Sequence, residues 1–115
     1  MKVHREGHTY ELSNFENKDE KGQTLQFIHK EPKVTPIMVD DKFSVGHTTE
    51  LQTLSDGTTN EEVLEVLIDR MGYLQSKFPC RENAIVITKL EESLMWLNKR
   101  TADRVKRNVE GKHAK

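Results

Sequence analysis

Cysteine is nearly absent: Cys80 is the single one, so no intrachain disulfide can form and a zinc site would lack thiolate partners. Aromatic residues are also scarce, at 6%, and apolar residues make up 34% of 115 residues. That is a thin core for a chain the size of one domain. Oligomerisation is a ready way to bury more surface, so a homo-oligomer is expected. No run of roughly 18 apolar residues occurs and no charged-then-apolar segment opens the chain. A soluble, cytoplasmic protein without a membrane partner is expected. An excess of positive charge is missing too. The formal net charge is −1, which argues against a general nucleic-acid binder.

Catalytic and cofactor motifs are equally wanting. The histidines are His4, His8, His29, His47 and His113. None pairs with another at helical spacing, and no HExxH motif occurs. His4 and His8 are four apart, but their segment is not helical in pattern, so no metal site is expected. There is no GxxxxGK[ST] and no GxGxxG, and no cofactor is expected. The acidic pairs Glu61-Glu62 and Glu91-Glu92 fall on helical stretches, where adjacent residues point in different directions and make poor acid–base dyads. Cys80 follows a proline at a helix start, where the helix dipole and Arg81 would favour a thiolate. No histidine is placed near it by sequence, so a small apolar plug is the preferred reading. Nothing points to an enzyme.

What is present falls into two parts that meet near Ser55-Asp56-Gly57. The first is β-like. "HTYEL" (8–12) puts Tyr10 and Leu12 on one face, and "TLQFIHK" (24–30) alternates Leu25 and Phe27; together they read as a hairpin. Pro32 and Pro36 are expected to interrupt any long strand. Beyond them Ile37–Val39 and Thr49–Leu54 read as short strands. After Gly57 the pattern becomes helical. Thr59 with Glu62, or Thr58 with Glu61, fits a capping box. Val63, Leu67, Met71 and Leu74 recur at helical spacing, widened by Val66 and Ile68. Pro79 disfavours helix at Phe78. A second helix over 81–107 carries the stripe Ile87, Leu90, Leu94, Leu97 and Thr101, a seam that calls for another helix beside it. The expected fold is α+β: a small N-terminal antiparallel sheet (1–57), then an antiparallel two-helix hairpin (58–107) and a loose tail (108–115), all in one domain. Met95 and Trp96 lie off the seam and need a second surface to cover them.

The second helix ends in a dense run of basic residues. Positive charge complements the dipole at a helix C-terminus, which is the plain reading. Yet Arg100, Arg104 and Arg107 fall at i, i+4 and i+7, on one face that continues the seam. Arginine forks grip carboxylate or phosphate in bidentate fashion, so this end suits an oxyanion.

The stretch "DGTTNEEVLEVLIDRMGYLQSKFPCRENAIVITKLEESLMWLNKRTADR" resembles the helical hairpin of phage anti-defence sponge proteins. That family includes the Thoeris anti-defence type and the hairpin-only anti-CBASS sponge. "YELSNFE" and "QTLQFIHKEP" are similar to the small sheet of the Thoeris type. The resemblance covers most of the chain and implies binding without catalysis. The implied partner is a small-molecule cyclic nucleotide made by a bacterial immune enzyme: a glycocyclic ADP-ribose isomer from a TIR-domain protein, with cyclic di- or trinucleotides in a separate pocket. It also implies dimers or hexamers. Carried onto this chain, the family's ADP-ribose pocket falls on Tyr73, Asn83 and Arg100: an aromatic face for adenine, an amide for a ribose or base edge, and a guanidinium for pyrophosphate. A second pocket is expected near Arg104 and Arg107. One departure is Asn108, where the family pattern "RGVEG" has glycine. Two other functions compete: a small nucleic-acid-binding regulator using the basic helix end, and a hydrolase of the same nucleotide.

Overall fold

The computed structural model describes the backbone of residues 1–39 and 42–107, and the side chains of these except 34–49. Between Thr58 and Thr59 the chain divides into two compact units, one of strands and one of helices. The α+β architecture expected from the sequence is the observed one.

The strand unit contains two sheets. Strands β1 (Lys2–Arg5), β2 (Thr9–Glu11) and β3 (Thr24–Gln26) form an antiparallel sheet in that order. β2 and β3 are the expected hairpin, in the register Thr9↔Gln26, Tyr10↔Leu25, Glu11↔Thr24. Tyr10 meets Phe27 edge to face, with ring centroids 6.0 Å apart, a favourable aromatic geometry. β1 is an addition: Lys2-Val3-His4-Arg5 has one apolar residue and no alternation that sequence reading could detect.

The second sheet is a long ribbon of β4 (His29–Val39) and β5 (Lys42–Ser55). It corrects the expectation that Pro32 and Pro36 break the strand. β4 runs through both, pairing Pro32 with Leu51 and Pro36 with Val45. A two-stranded ribbon contains only edge strands, and an edge tolerates residues without an N–H. The register does shift between Pro32 and Val34, a bulge that absorbs part of the misfit. Thr58 ends the unit: its N–H donates to the Gln26 carbonyl and its own carbonyl accepts from Ile28. At Gly57 an added Cβ would collide with the Gln26 backbone, so this crossing requires glycine.

The helical unit is the expected hairpin, α1 (Asn60–Lys77) packed on α2 (Arg81–Lys106). Of the two capping boxes, Thr59 starts α1: its hydroxyl accepts from the Glu62 N–H at 3.2 Å. Phe78 ends α1, its N–H donating to the Leu74 carbonyl at 2.8 Å. The α2 seam is the expected one, with Ile87, Leu90, Leu94 and Leu97 partly shielded and Thr101 exposed. On α1 the shielded positions are Val63, Leu64, Ile68, Met71 and Leu74, while Val66 and Leu67 are exposed. The stripe is thus rotated from the expected one. Among the described residues no apolar side chain is fully buried. No described helix is long and apolar enough to cross a membrane.

Candidate functional site

The turn between the helices is braced by Gln75. Its carboxamide accepts from the Cys80 N–H at 3.0 Å and donates to the Cys80 carbonyl at 3.1 Å. Cys80 is the α2 N-cap, its sulfur accepting from the Asn83 N–H at 3.4 Å. It is exposed, so it is a cap and not the apolar plug. A side chain with an acceptor atom serves at this position because the first amides of a helix lack partners.

Tyr73 and Asn83 stand on either side of this brace. Tyr73 lies one turn before the end of α1, on the face away from the seam, and is 58% exposed. It is not a ring sealing the core. The Lys77 ammonium, one turn on, sits 5.7 Å from its ring centroid, a cation–π arrangement. Along α1 the same face runs through Glu62, Val66, Asp69 and Arg70, which with Glu65 and Tyr73 line an open groove of about 560 Å³. Asn83, in the first turn of α2, is half-buried at the start of the seam. Its backbone N–H is used by Cys80. Among the described residues the Asn83 carboxamide and the Tyr73 hydroxyl carry no hydrogen bond.

Arg100 is remote from both. It lies 17 residues beyond Asn83, about 26 Å along the helix. α2 has 26 residues against 18 in α1, so it outreaches its partner helix by about 12 Å. The basic residues occupy that overhang. Arg100 is exposed and makes no hydrogen bond or ion pair among the described residues. Arg104 continues the seam spacing Leu94–Leu97–Thr101 and is partly shielded. Arg107 is exposed and caps α2: its N–H and Nε both donate to the Asp103 carbonyl, at 3.0 and 3.4 Å. Lys99 pairs with Asp103 at 2.9 Å. Lys99 and Arg107 therefore satisfy the plain helix-end reading, whereas Arg100 does not. The structure brings Tyr73 and Asn83 to one end of the hairpin and leaves Arg100 at the other. The departure at Asn108 lies outside the described residues.

Sequence reading missed Lys77 over Tyr73, and it named Trp96 as surface to be covered but not as the ring one turn before Arg100. Both are i, i+4 neighbours, so the signal was present in the spacing. Trp96 is 61% exposed. Among the described residues no group of His, Cys, Asp and Glu could hold a metal ion.

Residues 38–102 match the family described as Acb2/Tad1, hairpin domain. The chain belongs to this family. A curated relative, Thoeris anti-defense 1 of Bacillus phage SBSphiJ7, is 54% identical over 74 residues, which is 64% of this chain and 51% of the relative. The chain thus spans about half the length of the curated relative it matches. Tyr73, Asn83 and Arg100 all fall inside the Acb2/Tad1 match, whereas Arg104 and Arg107 lie past its end.

Proposed function

We propose that this Acb2/Tad1 hairpin protein is a non-enzymatic sponge. It sequesters glycocyclic ADP-ribose isomers made by TIR-domain proteins, in the host cytoplasm, and so blocks bacterial anti-phage defence. The observation that carries this reading is the set of side chains left uncommitted inside the matched hairpin. Among the described residues Tyr73 offers an exposed ring, Asn83 an unused carboxamide and Arg100 an unused guanidinium, which suit a base, a ribose or base edge and a pyrophosphate in turn. Because about 26 Å of helix separates Asn83 from Arg100, one protomer cannot close the pocket. Arg100 comes from a second copy packed antiparallel, and the ligand lies at that interface. The absence of fully buried apolar side chains among the described residues favours such an assembly, a dimer or a hexamer. Calorimetric titration with a glycocyclic ADP-ribose tests the reading. Saturable binding is expected, and no binding at millimolar ligand contradicts it.

In the same assembly the helix ends bearing Arg104 and Arg107 form a second pocket for a cyclic di- or trinucleotide. The two ligands then bind together. Displacement of the ADP-ribose ligand by saturating trinucleotide would argue for one pocket only.

A further inference from the structure

His29 heads β4 and is buried, at 9% exposure. Both of its ring nitrogens have partners. Nδ1 lies 3.0 Å from an Arg5 guanidinium nitrogen and Nε2 lies 2.8 Å from a Glu31 carboxylate oxygen. A guanidinium only donates and an ionised carboxylate only accepts. Nδ1 must therefore carry a lone pair and Nε2 the hydrogen, so His29 is held as the neutral Nε2–H tautomer. The His8 ring stacks on it with centroids 3.7 Å apart and planes 24° from parallel. His8 Nδ1 lies 3.0 Å from the Glu6 carbonyl, which likewise only accepts, so His8 Nδ1 carries a hydrogen.

Arg5 connects the two sheets. It belongs to β1, and its second terminal nitrogen donates to the Ser55 hydroxyl of β5 at 3.0 Å. One guanidinium thus ties the three-stranded sheet to both strands of the ribbon. The Phe27 N–H donating to the His8 carbonyl at 2.8 Å runs beside it.

The geometry points to a proton-operated latch: Arg5, with His29 stacked on His8, holds the three-stranded sheet to the β4–β5 ribbon while His29 Nδ1 is unprotonated, and protonation of His29 releases it. A proton on Nδ1 removes the acceptor that Arg5 uses and sets an imidazolium against a guanidinium. Among the described residues the groups facing His29 are Arg5 from β1, His8 from the β1–β2 turn and Glu31 from its own strand, with the Ser55 hydroxyl of β5 on the far side of Arg5. Glu31 is on Nε2, which is already bonded, so the new Nδ1–H faces the Arg5 guanidinium where it had accepted from it. The latch is therefore made while Nδ1 keeps its lone pair, at the higher pH, and lost when that nitrogen takes a proton, at the lower.

Two readouts test it on the full chain. Long-range proton–nitrogen correlation at pH 7.5 should show His29 as the Nε2–H tautomer and His8 with a hydrogen on Nδ1. Hydrogen exchange should show protection of the Phe27 and Ile28 amides falling by about tenfold or more between pH 7.5 and 5.5. In His29→Gln a carboxamide oxygen can accept from Arg5 at either pH, so that fall should vanish. A protonated His29 Nδ1 at pH 7.5, or an equal fall in His29→Gln, would overturn the latch. Should the variant fail to fold, the wild-type chain decides: protection of the Phe27 and Ile28 amides that is unchanged between pH 7.5 and 5.5 overturns the latch.

Discussion

Arg100 stands on the α2 overhang with no partner among the described residues, so replacing it removes nothing that the fold uses. Arg100→Ala should leave thermal stability within about 0.5 kcal/mol. It should weaken capture of the ADP-ribose ligand by about 2–5 kcal/mol, the cost of losing one partner of a buried charge-assisted pair. Wild-type affinity in a calorimetric titration of the variant would remove Arg100 from the pocket. Glu11 makes a second expectation at this scale. The His4 ring, 2.9 Å away, donates to its carboxylate and holds it below the usual carboxylate range, with Lys2 and Lys21 adding to the effect against some desolvation. A depressed carboxyl contributes stability above its unfolded value, and that contribution is lost as pH falls through the folded one. His4→Ala should therefore move the Glu11 midpoint upward in a carbon-detected NMR titration. An unmoved midpoint would mean that the lysines, not His4, set it.

At the scale of elements, the Thr59 side chain caps α1, at 3.2 Å to the Glu62 amide. Thr59→Ala should cost about 1 kcal/mol, read as a lowered melting temperature with ligand affinity kept. No loss would mean that another group takes over the amide. The hairpin was legible because three signals agreed there: the Thr59 cap, the break at Pro79, and a seam from Ile87 to Leu97 that held its spacing. The ribbon was not. Pro32 and Pro36 count against a strand in general, and only the two-stranded context, which sequence does not display, makes them tolerable. β1 was invisible because Val3 is its one apolar residue. For the site, Tyr73 and Asn83 came from resemblance to a family rather than from pattern. Spacing did pick out the arginine face, but it could not reveal that Arg107 caps its own helix while Arg100 stays uncommitted.

For the whole molecule, the exposed Tyr73, Phe78, Met95 and Trp96 are apolar surface that the proposed association between copies would cover. Light scattering at micromolar concentration should return at least twice the 13.4 kDa chain mass. A monomer would exclude a pocket shared between protomers. The central claim is capture without chemistry, and it is tested most directly by the fate of the ligand. The chain is incubated with the nucleotide signal produced by a TIR-domain protein, separated from free ligand and heated, and the released material is weighed by mass spectrometry. Intact glycocyclic ADP-ribose in stoichiometric amount is the predicted result. Hydrolysed fragments, or no ligand retained, would contradict it.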